Sequence, residues 1–184
     1  IGTENVPADG PVLLAPNHFS NMDHFFAGVY LRRQIRFMAK SQLFGPPVLT
    51  SIFTHGGVFP VRRGHRDDEA FTTVYRIFEN GGAVLVYAEG GRSRSGGLGD
   101  PKPGIGRIAL ESGVPVVPVA IHGSSGVRNI KKLRFPKVTI QFGQPMSLCQ
   151  AGVIRGDAGQ AIVSVTWPDG GERIIRFAKV VVGK

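Results

Sequence analysis

A chain of 184 residues with 42% hydrophobic and 19% charged residues is long enough for one domain with a substantial core and too apolar for wholesale disorder. Lys and Arg outnumber Asp and Glu by 22 to 13, and a formal charge of +9 favours anionic partners: nucleic acid, an anionic membrane or a phosphorylated small molecule. The lone Cys149 excludes an internal disulfide and fits a reducing, cytoplasmic setting.

A basic start followed by an apolar core, the mark of a secretory signal, is absent, and no apolar run is long enough to span a bilayer. The chain opens on Ile1 rather than Met, which leaves room for an upstream segment. Short apolar helices still allow a monotopic surface, so the cytoplasmic face of a membrane is the expected location.

Taken in chain order, "PVLLA" at 11–15 predicts a buried strand, and residues 22–33 predict a helix with Asn21 or Ser20 as its cap. "IRFMA" at 35–39 predicts a short strand. Ser41 opens a helix that Gly45-Pro46-Pro47 interrupts, with an apolar segment at Val48–Phe53. "GVFPV" at 57–61 predicts a strand, and its proline argues for an edge. Asp67 and Asp68 cap a helix to about Phe78, stopped by Asn80-Gly81-Gly82. "AVLVYA" at 83–88 is the clearest buried strand, and the glycine-rich loop 89–99 follows it. A short helix over 104–112, a strand "VPVVPVAI" at 114–121 and an alternating strand "KVTIQFG" at 137–143 complete the pattern. The expected fold is α/β: a single domain over 1–184 with a central mixed, mostly parallel sheet flanked by helices. Residues 161–167 and 173–182 flank "PDGG" and read as a hairpin, with helix as the alternative for 150–165.

Chemistry concentrates in two places. In "NHFSNMD" a neutral His18 can take a proton from an alcohol, and Asp23 can fix its tautomer and stabilise the imidazolium. The alternative is a turn histidine beside a first-turn carboxylate. Ser20 is a possible nucleophile, although the G-x-S-x-G elbow is missing. His24 reads as structural. His18, Asp23 and His24 do not form H-E-x-x-H, and one cysteine offers no thiolate cluster, so no metal is expected.

The second place is "EGGRSRSG", leaving the end of a buried strand. Gly90 and Gly91 allow close backbone approach, and Arg92 and Arg94 offer guanidinium forks suited to phosphate. Glu89 can bind a substrate hydroxyl or hold an arginine. The alternative here is a plain basic loop. Arg62, after "GVFPV", can bring a third cation to the same rim.

Together these blocks resemble the glycerolipid acyltransferases, the group containing 1-acylglycerol-3-phosphate acyltransferase. "NHFSNMD" looks like their N-H-x-x-x-x-D motif, "GVFPVRR" like their second block, "EGGRSRSG" like the third, usually E-G-T-R-S, and "VPVVPVAI" like the fourth. The four occur in the family's order and cover roughly residues 11–145, leaving 146–184 as an unassigned C-terminal extension. The resemblance implies His18 as base and Asp23 as its orienting acid. It implies Arg62, Glu89, Gly90, Gly91, Arg92 and Ser93 at the acceptor. It also implies direct transfer of an acyl group from coenzyme A or acyl carrier protein to a phosphorylated lipid hydroxyl at a membrane surface, with no permanent cofactor. Gly91 stands where the family commonly has threonine, and strand-like residues 161–182 stand where it usually has helix. Two other readings compete: a basic membrane- or nucleic-acid-binding module without catalysis, and a hydrolase using Ser20. No nucleic-acid-binding signature is visible, so nucleic acid is the less expected partner.

Overall fold

A computed structural model describes residues 1–61, 68–93, 98–126 and 137–147, and the backbone of three strands within 154–177. Six strands form one sheet in the order β3-β2-β4-β1-β5-β6. They are β1 (Val12–Pro16), β2 (Ile35–Lys40), β3 (Val58–Val61), β4 (Ala83–Leu85), β5 (Val116–His122) and β6 (Thr139–Phe142). The first five are parallel, and β6 runs antiparallel against β5. The mixed, mostly parallel sheet expected from the sequence is what forms.

Central strands of such a sheet are covered on both faces, which is why "VLL" and "AVL" are unbroken apolar runs. Side chains alternate across the sheet. Leu13, Val84 and Val116 pack against Val74 and Phe78 of α3 (Asp68–Glu79) and Ile105 and Ile108 of α4 (Pro103–Ser112). Val12, Leu14, Leu85 and Val117 form the opposite layer with Ala27 of α1 (Asp23–Val29). Burying a side chain such as Leu14 is worth about 1.5–3 kcal/mol, so this sandwich fixes where the strand ends lie.

Those ends create the crevice. The chain leaves β1 toward β2 on one side and leaves β4 toward β5 on the other. Their helices, α1 and α4, go to opposite faces. Between the carboxyl ends of β1 and β4 the connections diverge, the usual ligand position in an open α/β sheet. His18 follows β1 and Glu89 follows β4.

Several local expectations need correction. The first helix is Asp23–Val29, shorter than 22–33, and neither Asn21 nor Ser20 caps it; Met22 takes that position with no side-chain bond. Gly45-Pro46-Pro47 does not interrupt a helix but starts one. Ser41–Phe44 is a 3-10 turn, and α2 (Pro47–His55) begins on a proline, whose missing N–H costs nothing in a first turn. Strand β4 keeps ladder geometry only to Leu85, although the Val86 and Ala88 amides still bond to Leu14 and Pro16. The edge position of β3 and the stop after α3, where Gly81 has φ 69°, follow expectation. A separate three-stranded sheet holds β7 (Ile154–Gly156), β8 (Gln160–Thr166) and β9 (Glu172–Phe177). The β8–β9 pair is the expected hairpin, and the helix alternative fails at 154–156 and 160–165.

Candidate active site

His18 Nδ1 and Asp23 Oδ2 are 2.9 Å apart, so the pair anticipated from spacing is formed. The dyad sits in a tight loop between β1 and α1. Asp23 is fully buried at the first position of α1 and reaches back, so that its Oδ2 also accepts the Phe19 and Ser20 amides, both at 2.7 Å. The carboxylate thus does the work that a capping Ser or Asn was expected to do. Burial pushes the Asp23 pKa up, but the His18 bond, the nearby Ser124 hydroxyl and the Ser20 and Phe19 amides outweigh it and hold the carboxyl below its ordinary value. The side chain stays ionised near neutrality. With a carboxylate acceptor at Nδ1, the ring carries its proton there, and Nε2 is the basic nitrogen.

The His18 side chain is 14% exposed, so it opens to solvent at one edge and is not sealed in the core. Its face stacks on Tyr87, with centroids 3.8 Å apart and planes 18° from parallel. Burial, reinforced by the Asp23 charge, pushes the Tyr87 phenol pKa up, so the ring stays neutral. His24, adjacent to Asp23, is held below the ordinary histidine value by burial and by His18 nearby. It packs against Phe25 and Phe37 and is partly exposed. Ser20 is 4% exposed, and its hydroxyl accepts the Met22 amide at 3.3 Å, so it is not presented as a nucleophile.

The glycine-rich loop meets the dyad through backbone. The Ser93 amide donates to the His18 carbonyl at 2.8 Å, and Gly90 turns at φ 63° to bond Tyr87. A Cβ on Gly90 would lie 2.9 Å from Lys102 Cγ. Glu89 Oε2 accepts the Gly99 amide at 3.0 Å, closing the loop on itself. Arg92 is exposed, while Glu89, Gly91 and Ser93 are half-buried. Glu89, Asn17 and Phe19 line a cavity of about 550 Å³ with Leu98 and His122. His18, Asp23 and residues 89–93 are therefore brought to one edge of the sheet. Strand β3 ends at Val61 on that same edge, but Arg62 itself lies outside the described residues, as does Arg94.

A third strand holds the dyad loop. Asn17 Nδ2 donates to the Ile121 carbonyl at 2.9 Å, and the Ile121 amide donates back to Asn17 Oδ1 at 2.7 Å. Just beyond, Gly123 has φ 82°, and a Cβ there would lie 2.2 Å from the Lys137 carbonyl oxygen. That turn delivers Ser124, fully buried, beneath the site. Among the described residues, four buried side-chain oxygens lack a partner at full hydrogen-bond geometry: Asp23 Oδ1, Tyr87 OH, Glu89 Oε1 and Ser124 Oγ. Such groups are costly, and all four lie in segments that follow β1, β4 or β5. Tyr87 and Ser124 were not foreseen. A lone phenol inside "AVLVYA" is a signal in hindsight, whereas nothing in "GSSG" separates Ser124 from Ser125.

Comparison with known proteins agrees with this geometry. The Acyltransferase family profile matches residues 1–122. The chain is 31% identical over 129 residues to the chloroplastic 1-acyl-sn-glycerol-3-phosphate acyltransferase BAT2 of Brassica napus, covering 68% of this chain and 37% of that protein. It is 26% identical over 189 residues to a glycerol-3-phosphate acyltransferase of Pseudomonas fluorescens, covering 81% of this chain and 23% of that one. Among solved structures, the 1-acyl-sn-glycerophosphate acyltransferase PlsC of Thermotoga maritima superposes with a TM-score of 0.65 at 26% identity, covering 83% of this chain and 62% of that one. The chain thus spans less than two thirds of the length of each. With the family profile matched over most of the chain, and with the six-stranded sheet shared with a solved acyltransferase, this chain belongs to the acyltransferase family.

Proposed function

We propose that the chain transfers a fatty acyl group from a thioester, on coenzyme A or acyl carrier protein, to the free hydroxyl of a phosphorylated glycerolipid, with 1-acylglycerol-3-phosphate as first choice. The observation that carries this reading is the 2.9 Å His18–Asp23 bond in a loop that the Ser93 amide ties to the segment after β4. His18 Nε2 takes the proton of the acceptor hydroxyl while its oxygen attacks the thioester carbonyl. Asp23 stabilises the imidazolium that forms. As the tetrahedral intermediate collapses, the C–S bond breaks and the proton passes from His18 to the departing thiolate. A thioester is already activated, so the chemistry asks for no permanently bound cofactor. Glu89, which lines the cavity beside Asn17 and Phe19, suits an acceptor hydroxyl. Arg92, with Arg62 and the loop 90–93, suits the acceptor phosphate.

The test is a panel of acyl-coenzyme A and acyl carrier protein donors against 1-acylglycerol-3-phosphate, glycerol 3-phosphate and monoacylglycerol. Thiol release and product mass are followed. The phosphorylated acceptors are expected to react at least about 10-fold faster than monoacylglycerol, the size of one lost charge-assisted contact. Equal rates with monoacylglycerol would remove the phosphate-reading role of Arg92. Thioester hydrolysis without acceptor acylation would remove the transferase.

The same reading puts the chain at a lipid surface. The β1–β2 and β2–β3 crossovers run in one direction along the sheet, so right-handed connections set α1 and α2 on the same face. That face exposes Phe25, Val29 and Tyr30 on α1 and Val48 and Ile52 on α2, the last two 73% and 61% exposed. Among the described residues, no helix is long and apolar enough to cross a membrane. Co-sedimentation with anionic vesicles is expected, and F25E/I52E is expected to lower it about 10-fold or more. Unchanged binding by that variant would move the lipid contact elsewhere.

A further inference from the structure

The two buried atoms left over beside the base point to a third member of the dyad. Asp23 has one oxygen, Oδ2, committed to His18, Phe19 and Ser20. Its other oxygen, Oδ1, is sealed from solvent and has no partner at full geometry. The Ser124 hydroxyl is equally sealed and equally unpartnered, on a residue of zero exposure. An unmade bond to a buried carboxylate oxygen is costly, and a hydroxyl proton rotates freely to whatever acceptor is near.

We propose that Ser124 is a positioning residue for His18: its hydroxyl donates to Asp23 Oδ1 and locks the carboxylate so that Oδ2 meets His18 Nδ1.

The backbone is built to deliver it. Asn17 and Ile121 tie the dyad loop to the end of β5 through two bonds. Gly123, at φ 82° and packed against the Lys137 carbonyl, then makes the turn that only glycine allows. Ser125, by contrast, is exposed and lines the cavity. Consistent with this placement, the Ser124 hydroxyl is among the groups that hold the Asp23 carboxyl below its ordinary value. The ionisable groups around Asp23 come from three elements: His18 from the loop after β1, His24 from α1 and Tyr87 from the segment after β4. Ser124 is the neutral donor supplied by the segment after β5.

The sign of its effect follows. With Asp23 ionised and His18 neutral, the pair carries one negative charge, which the hydroxyl stabilises. Removing the hydroxyl leaves more negative charge facing His18, so the imidazole binds its proton more tightly.

The inference rests on His18 acting as the base, so its test includes a readout that needs no turnover. His18 is titrated by NMR of its imidazole in the full chain, and the acid limb of kcat/KM is measured for acyl transfer from acyl-coenzyme A to 1-acylglycerol-3-phosphate. In S124A, both are expected to move to higher pH by about half a unit to one unit. At the same time kcat falls about 10-fold with KM little changed. S124T, which restores the hydroxyl, is expected to return both toward wild type. If S124A does not fold, S124C, a weaker donor of similar size, is read instead and is expected to shift in the same direction by less. A folded S124A, or S124C in its place, whose His18 titration matches wild type overturns the proposal. A shifted titration in a chain that shows no acyl transfer supports the positioning role while removing the base reading.

Discussion

His18→Ala is expected to lower kcat for acyl transfer by about 10²–10⁴-fold, the usual worth of a positioned general base. The protein should remain folded. The histidine sits in a loop, its side chain is partly exposed, and its removal costs the stack on Tyr87 and one bond to Asp23. Tyr87 packs at the margin of the Leu14 layer, but no buried side chain of either layer is removed. Thiol release with a saturating acceptor reads the loss, and near-UV circular dichroism checks the fold. His24 cannot take over. It is held below the ordinary histidine value by burial, and it packs against Phe25 and Phe37. Full activity in a folded H18A protein would sink the proposed mechanism. A trapped acyl-enzyme ester on Ser20 would revive the hydrolase reading, which the burial of that side chain argues against.

The second large effect belongs to Asp23→Asn, and it divides into two measurements. The amide is nearly isosteric. Its oxygen can still accept the Phe19 and Ser20 amides, so the loop survives while the charge is lost. Without that charge the imidazolium is no longer stabilised, and kcat is expected to fall by about 10²–10⁴-fold. Stability should respond to pH in a defined direction. Asp23 has a folded pKa below its unfolded one. Its contribution is therefore fully present above the unfolded value of about 3.9 and is lost as pH falls through the folded value. Urea unfolding of wild type and D23N should show a gap that is present at about pH 5 and narrows below about pH 4. A gap that stays constant down to pH 2 would contradict the depressed pKa.

The sheet and the dyad were legible because each rests on local pattern. Apolar runs such as "PVLLA" and "VPVVPVAI" announce strands covered on both faces. A histidine and an aspartate five residues apart after such a strand can meet across one tight loop. Helix boundaries were less legible for a physical reason. Gly45-Pro46-Pro47 reads equally as a breaker and as a start, and only packing decides that Pro47 opens α2. Ser20 and Asn21 are good caps in isolation, yet Asp23 satisfies the Phe19 and Ser20 amides itself because burial leaves it no water to turn to. Tyr87 and Ser124 were invisible as site residues since they arrive from β4 and β5, far along the chain from His18. Their roles exist only once the strand order is known. The arginines were legible both as guanidinium forks in a glycine-rich loop and by resemblance; Arg92 is exposed, and Arg62 and Arg94 lie outside the described residues.

The tie between Asn17 and Ile121 has a consequence for how the protein comes to be active. Those two residues are 104 positions apart in sequence. Strand β1 is made first but sits between β4 and β5, so its loop stays unanchored until most of the chain has emerged. Contacts this distant are closed late in folding, after local helices have formed. His18 and Asp23 are neighbours from the outset, yet the residue that clamps their loop is made 104 positions after Asn17. A chain halted before β5 would carry the whole His-to-Asp motif and still lack its clamp, so under the proposed mechanism acyl transfer would report that β5 has docked.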